Sequence, residues 1–426
     1  MALCRRSEAP QQNDHVGSLE GRKYYNSSYA NVTRQELNPA DTDYARERDK
    51  AINHNSKEGV KPMSKEEQDF ERQLNWKLIK KFTMAIFSMD VTRFSFPVGY
   101  SEPRTFIERA ADLFSFLSTT FMEKAVAEPD NSKRLAMITV GVIAPFHLYL
   151  QAKKPWNPVI GETYIGKWSN GIMMFGEQTS HHPPVSNIQL TTPDNSWKVD
   201  AQFNFEIDQG IFQIDILQKG NTKLTLADGT VYEWEFPTIC VTGLLKGDRI
   251  VKVQGPLEIR DVTNNLTAHI KINPKQNKKI KELKHPRVTT IYGGVCKGKY
   301  DEKKKFLSVV TGDYADKVYI DGELEWNISR DLTHRPLEIL DDNELLPSDC
   351  RFRIDRTKLI NGNMDEADKA KQLVEELQRH DSKVRASGEK HQKKENHKQE
   401  KERKKREKEA KIQHEMKNLD VEVPAQ

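Results

Sequence analysis

A run of short strand-like segments between residues 164 and 320 limits the possible folds more than anything else in the chain. Its members lie at 164–168, 171–175, 185–190, 197–207, 210–217, 221–226, 231–236, 239–245, 250–259, 266–272, 289–295, 306–310 and 317–320. Several alternate apolar and polar residues; Phe203, Phe205 and Ile207, for example, are separated by Asn204 and Glu206. Successive side chains of a strand point to opposite faces, so this pattern marks strands with one buried face. The first two members flank Ser169-Asn170-Gly171, which suits a tight hairpin. Turn residues return about every 8 to 12 positions, the signature of an antiparallel meander. About a dozen such strands exceed what an open, twisted sheet usually holds, so closure into a barrel is expected. A barrel of that size has an interior that strand side chains do not fill, and hence a ligand cavity.

The flanks are different in kind. Residues 1–64 are polar and without periodicity and are expected to be a disordered extension. From Ser64 the pattern turns helical: Ser64-Lys65-Glu66-Glu67 suits a capped first turn. Phe70, Leu74, Trp76, Leu78, Ile79, Phe82, Ile86 and Phe87 follow, with Lys77, Lys80 and Lys81 among them. Such an amphipathic helix can lie on a membrane surface, close a cavity or simply dock on the domain. Residues 105–121 and 135–150 read as buried helical stretches, the second as one helix or a pair. Helix returns from residue 363 to about residue 384. Beyond it the chain is Lys/Glu-rich, either a solvated helix or disordered, and buries no core. The class is therefore mainly β with helices, α+β overall.

Of the 426 residues, 36% are hydrophobic and 31% charged, which fits long polar extensions around one domain rather than a uniformly thin core. The net charge of +4 hides an asymmetry: residues 383–417 hold 14 Lys/Arg against 7 Asp/Glu, so the remainder is slightly acidic. Cys4, Cys240, Cys296 and Cys350 form no CxxC pair, which argues against a zinc ribbon or a disulfide framework and fits a reducing compartment. The start lacks an apolar signal core, and the apolar run at 135–150 contains Pro145 and His147 and is too short to span a bilayer. A cytoplasmic protein is expected.

Three segments carry chemistry. In Glu177-Gln178-Thr179-Ser180-His181-His182-Pro183-Pro184-Val185-Ser186, the prolines fix their own φ and remove backbone donors, and Pro183 holds His182 extended. The result is a stiff strand end or sheet edge that presents hydroxyls and imidazoles, groups that hydrogen-bond phosphate. Adjacent strand residues face opposite ways, so His181 and His182 can share a ligand only where the strand ends or kinks. Alone, the pair is also what a structural strand end looks like. In Lys154-Pro155-Trp156-Asn157-Pro158-Val159-Ile160-Gly161-Glu162-Thr163, prolines and a glycine make an irregular turn that holds Lys154 and Asn157 on rigid backbone. Its plain reading is a helix-to-strand connection with a surface lysine. Lys371, Glu375 and Arg379, spaced i, i+4, i+8, share one helix face; alone they are surface ion pairs.

Together these segments resemble the lipid-binding domain of the oxysterol-binding protein family. The decapeptide 177–186 is similar to that family's fingerprint, with Thr179 where valine is usual. The segment from Lys154 to Thr163 resembles its second motif. Ser348-Asp349-Cys350-Arg351-Phe352-Arg353-Ile354-Asp355 with Lys371, Glu375-Glu376-Leu377-Gln378-Arg379 resembles its C-terminal signature, with Ile354 where proline is usual. The resemblance runs from about residue 74 to about residue 385. It implies a large, near-complete antiparallel barrel around an apolar lipid tunnel, with an N-terminal lid (about 65–96), N-terminal helices (about 105–150), the barrel (about 160–325) and a C-terminal helical part (about 340–385). Residues 386–426 form a charged tail. It implies that Lys154, Asn157, His181, His182, Lys371, Glu375 and Arg379 surround the head group of phosphatidylinositol 4-phosphate at the tunnel rim. The cations supply positive charge, Arg379 with a fork suited to phosphate, the histidines donate, and Glu375 orients the cations or accepts from an inositol hydroxyl.

The implied activity is non-vesicular exchange of phosphatidylinositol 4-phosphate against a second lipid, sterol favoured and phosphatidylserine the alternative, between organelle membranes. Pleckstrin-homology and ankyrin domains have no counterpart in the sequence, so a short family member is expected. It would be a monomer that touches anionic membranes transiently, with a lipid as its ligand, no cofactor and no nucleic-acid partner. A phosphoinositide or sterol sensor that recruits partners through the tail is the competing reading. An enzyme is not expected: the sequence offers no HExxH, nucleophile elbow or close carboxylate pair. If the imidazoles contact phosphate, binding strengthens as pH falls through the histidine range.

Overall fold

The computed structural model describes residues 55–56, 59–60, 65–66, 69, 73, 98–150, 154–181, 183–209, 213–243, 250–273, 287–331, 337–338, 340 and 344–419. The expected lid residues between 74 and 96, and His182, lie outside the described residues. The described residues divide into two units, one ending at Lys371 and the other beginning at Gln372.

In chain order the strands are β1 (Asn55–Ser56), β2 (Gly59–Val60), β3 (Ser101–Thr105), β4 (Lys154–Trp156), β5 (Thr163–Trp168), β6 (Met173–His181), β7 (Pro184–Thr191), β8 (Trp197–Gln209), β9 (Gln213–Lys219), β10 (Thr222–Leu226), β11 (Val231–Trp234), β12 (Thr238–Thr242), β13 (Ile250–Gln254), β14 (Pro256–Asp261), β15 (Leu266–Ile272), β16 (Thr290–Lys297), β17 (Ser308–Asp313), β18 (Lys317–Ile320), β19 (Glu323–Asn327) and β20 (Leu337–Glu338). Eighteen of them share one antiparallel sheet, and β3 and β4 form a separate parallel pair. The large antiparallel meander read from the sequence is thus present.

The sheet forks at β8. Its first half, from Trp197 to Ala201, pairs with β10, and its second half, from Asn204 to Gln209, pairs with β9. One arm continues through β11, β14, β15, β16, β17, β18 and β19. The other continues through β12 and β13 to β2 and β1. On the far side of β8 follow β7, β6, β5 and β20. Burial alternates as the sequence requires: in β14, Leu257, Ile259 and Asp261 are buried and Pro256, Glu258 and Arg260 exposed. β1 and β2 fall inside the segment expected to be disordered. Val60 pairs with Val251 of β13, which gives that side of β13 a partner among the described residues.

Among the described residues from 98 on, the helices are α1 (Phe106–Phe116), α2 (Met122–Ala127), α3 (Asn131–Ile143), α4 (Phe146–Tyr149), α5 (Ile328–Asp331), α6 (Ile354–Ile360) and α7 (Met364–Leu419). A π-helical turn, Leu117–Phe121, joins α1 to α2. Asp130 caps the start of α3, its carboxylate accepting from the Ser132 and Lys133 amides. α1 packs on β5 and β6, and α3 on β14 through β19. Phe106 meets Phe203 edge-on at 5.2 Å, and Phe114 meets Phe236 at 6.1 Å, inside one apolar cluster that includes residues of α1 to α5. α1 and α3 therefore cover sheet surface that the strand count left to an open interior.

His147 is buried in this cluster between the rings of Phe116 and Trp326, and its Nδ1 bonds the Ala144 carbonyl. Burial pushes its pKa down to about 3. The native state refuses a proton that the unfolded chain accepts below about pH 6.5. Stability is then full above that pH and falls as the pH drops toward 3, by about 2 kcal/mol at pH 5. Urea unfolding at pH 7 and pH 5 checks this: His147→Leu loses less between the two than wild type. Equal losses would remove His147 from the account.

Candidate head-group site

Lys154 opens β4, which runs parallel to β3 with Ser101 opposite Lys154 and Thr105 opposite Trp156. The sequence reading had the irregular turn begin at Lys154; the structure makes Lys154–Trp156 a strand and starts the turn at Asn157. Pro155 is tolerated because β4 is short and has only one partner among the described strands. Trp156 is buried with Val98 and Ala367 of α7, and the Val98 amide donates to Asp368 at 3.1 Å. The rigidity of the segment thus comes from packing as well as from proline. Lys154 Nζ donates to Asn157 Oδ1 at 2.9 Å, with the lysine half-buried and the asparagine exposed. In the turn that follows, Gly161 takes φ +77°, a backbone region glycine enters without strain.

The C-terminal signature locks this turn from beneath. Arg353 Nη1 donates to the Asn157 carbonyl at 2.9 Å and to Glu162 Oε2 at 3.0 Å, while Nε and Nη2 hold both oxygens of Asp355. Its guanidinium lies over the Trp156 ring at 5.7 Å. Glu162 also accepts the Val159 amide, so one carboxylate ties turn to signature. Burial pushes Glu162 up to about 7, and Arg353 beside it pulls the other way. Asp349 and Arg351 repeat the device on β5: the Ile165 amide donates to Asp349, Arg351 grips Asp349 through Nε and Nη2, and Arg351 Nη2 also donates to the Ile165 carbonyl. Arg356 reaches Glu108 of α1 at 2.9 Å. A further buried group joins Arg104 and Arg109 through Glu102, with Arg104 also on Asp112. Ile354 begins α6, the first helical position where proline's fixed φ costs nothing, so the departure from the family pattern is conformationally neutral.

His181 ends β6. Gly161 donates to the Gln178 carbonyl and Gln178 to the Glu162 carbonyl, so the turn after Asn157 lies against β6 three residues before His181. A bulge between Gln178 and Ser180 shifts the β6–β7 register, leaving His181 opposite Pro184. The expected strand end is there, with a kink in addition. Gln178 anchors it: its side chain donates to the Ser180 carbonyl and accepts from the Ser186 hydroxyl. Thr179, the departure from valine, accepts from Asn187 at 2.7 Å and donates to the Val185 carbonyl, so the hydroxyl staples the hairpin.

Lys371 lies one helical turn past Ala367, the α7 residue that packs on Trp156, and is half-buried. Glu375 and Arg379 lie farther along the same helix, in the second unit, with Arg379 Nη1 3.9 Å from Glu375 Oε2. Lys154 and Asn157 are thus in contact, and His181 is tied to them through Gln178.

Residues 348–355 resemble a family signature, but the sequence alone gives them no role. Glu102 and Arg104 of β3 and Glu108, Arg109 and Asp112 of α1 carry no motif that marks them as buried partners. The readable sign was density: three arginines and two aspartates fall between Asp349 and Arg356 around a single phenylalanine.

A family model described as "Oxysterol-binding protein" matches residues 76–420. Oxysterol-binding protein 9 of Dictyostelium discoideum is 28% identical over 327 residues, covering 74% of this chain and 76% of that protein. Oxysterol-binding protein-related protein 3 of Mus musculus is 27% identical over 326 residues, covering 71% of this chain and 37% of that longer protein. Among solved structures, the Saccharomyces cerevisiae Osh3 ORD in complex with PI(4)P superposes with a TM-score of 0.57 at 20% identity, covering 71% of this chain and 84% of that one. The Osh1 ORD domain with cholesterol gives 0.56 at 22% identity, covering 70% and 77%. At these identities the two structures establish the fold.

Proposed function

The chain belongs to the oxysterol-binding protein family, and from that premise we propose that it binds phosphatidylinositol 4-phosphate and a second lipid, sterol before phosphatidylserine, in one apolar tunnel and exchanges them between membranes. The family binds lipids and is not enzymatic, so no covalent step is involved. The observation that carries the reading is the Lys154–Asn157 contact on a turn clamped by Arg353 and laid against the His181 strand. A phosphate needs convergent donors held in advance, because ordering them at binding would consume affinity. Lys154 supplies a point charge already oriented by Asn157, and Asn157 and His181 supply directional donors. His182 and Lys371 complete the proposed set. Glu375 and Arg379 enter on the sequence resemblance alone.

The Osh3 complex with PI(4)P and the Osh1 complex with cholesterol lend support by fold. No described helix is long and apolar enough to cross a membrane, and we read the protein as peripheral. Transfer of labelled phosphatidylinositol 4-phosphate between two vesicle populations tests the proposal. Wild type should equilibrate the label, and the double variant His181→Ala/His182→Ala should not. If both move label at the same rate, the head-group assignment is wrong.

A further inference from the structure

The charged end of α7 is sorted by residue type in a way that simple solubility does not require. At 100° per residue, the ten lysines between Lys383 and Lys411 all fall within an arc of about 140° on the helix surface. The three arginines of the same stretch (Arg385, Arg403 and Arg406) and all of its glutamates fall outside that arc. Every described side chain from Lys401 to Lys411 is exposed. A helix held up only by its own ion pairs places opposite charges around its whole circumference. Here the ion pairs of Glu400 with Lys404 and of Lys405 with Glu409 lie at the stripe's two borders, and those of Arg403 with Glu400 and Glu407 lie outside it. Its middle row of Lys394, Lys401 and Lys408 has no ion pair among the described residues. At 1.5 Å per residue the stripe is roughly 40 Å long.

We propose that this lysine stripe is a docking surface for an anionic lipid bilayer, separate from the head-group site. A straight line of charge on one side of a rod fits a plane, where each lysine keeps its hydration and gains from the surface potential of the leaflet. Lysine is a point charge suited to such a diffuse field. Arginine, whose fork reads individual phosphates and nucleic acid, is the residue kept off the stripe. The stripe holds the protein at the surface while lipid is exchanged, and its attraction is screened by salt.

Co-sedimentation of the full-length protein with phosphatidylcholine vesicles containing phosphatidylserine, and no phosphoinositide, tests this. The triple variant Lys394→Gln/Lys401→Gln/Lys408→Gln is compared with Arg385→Gln/Arg403→Gln/Arg406→Gln, which removes the same charge from outside the arc. Glutamine preserves helix propensity, and circular dichroism of both variants verifies it. The stripe variant should lose roughly a hundredfold in partition onto the anionic vesicles, and the arginine variant severalfold at most. Equal losses would mean that net charge alone acts, and the stripe would be overturned. Undiminished binding of the stripe variant, or equal binding of wild type to pure phosphatidylcholine vesicles, would overturn it too. So would preference for RNA over vesicles in competition. Because no phosphoinositide is present, failure here leaves the head-group proposal standing, and the converse holds.

Discussion

Arg353→Ala will lose about 3–5 kcal/mol of stability, the scale expected when one partner of a buried ion pair is removed. Arg353 is 2% exposed, and its two carboxylate partners, Glu162 and Asp355, are 2% and 0% exposed. The variant leaves both acids in the interior without their cation and frees the Asn157 carbonyl at the turn that carries the lysine contact. A domain whose whole stability is about 5–15 kcal/mol cannot absorb that easily. Arg353→Lys should be damaging as well, because an ammonium cannot grip Asp355 with two donors while bonding Glu162. Proton linkage offers an internal check. Burial already raises Glu162 to about 7, and removing the guanidinium removes the main influence that lowers it. A carboxyl whose folded pKa lies above its unfolded value contributes stability that is present at low pH and lost as pH rises through the folded value. The Arg353→Ala protein should therefore gain stability relative to wild type as pH is lowered from 7 toward 5. Adding Glu162→Gln should recover part of the loss at pH 7. Urea midpoints of the four proteins of this double-mutant cycle at both pH values decide it. If Arg353→Ala unfolds at the wild-type midpoint, the lattice contributes no net stability.

The same lattice shows where sequence reading stops. The strands were legible because one face is buried: the alternation survives in β14 and in β8 from Trp197 to Phe203, but it fails at the end of β8, where Phe205 is half-buried and Ile207 is 64% exposed. The Ser169-Asn170-Gly171 hairpin was legible because glycine at a turn has a backbone reason, and Gly171 does take φ +81°. Strands of two or three residues carry no period, so β1, β2, β4 and β20 gave no signal; their pairing is decided by neighbours far away in sequence. No apolar face marks residues 386–419, so the sequence pattern does not decide between helix and coil there, yet Lys, Glu, Gln and Ala are strong helix formers and the ion pairs lie at i, i+3 and i+4. Charged residues are read as surface by default. Asp355 and Arg356, both 0% exposed, defeat that default: Arg356 finds Glu108 of α1 far away in the sequence, and Arg353, which grips the nearby Asp355, also reaches the distant Glu162. The lysine contact followed the opposite route. The resemblance supplies Lys154 and Asn157 as expected partners in a site, and the structure adds the 2.9 Å bond between them.

Lys154→Ala combined with His181→Ala will abolish extraction of phosphatidylinositol 4-phosphate from vesicles while leaving the melting curve close to wild type. Hydrogen bonds to a charged group contribute about 1.5–3 kcal/mol each, so each substitution alone should weaken extraction by about tenfold to a hundredfold, and the pair by about a thousandfold or more. Stability should hold because Lys154 and His181 are both half-buried and sit at strand ends, outside the arginine lattice that ties the turn down. That separates this variant from Arg353→Ala, which should lose lipid binding and stability together. Sterol loading gives the second axis. A sterol has no phosphate, so a tunnel shared by both lipids predicts that the double variant still takes up sterol from vesicles at the wild-type rate. It then loses exchange because only one of the two cargoes can be carried. Loss of both cargoes with an unchanged melting curve would instead make these residues part of the tunnel entrance, and undiminished extraction of the phosphoinositide would remove Lys154 and His181 from the site.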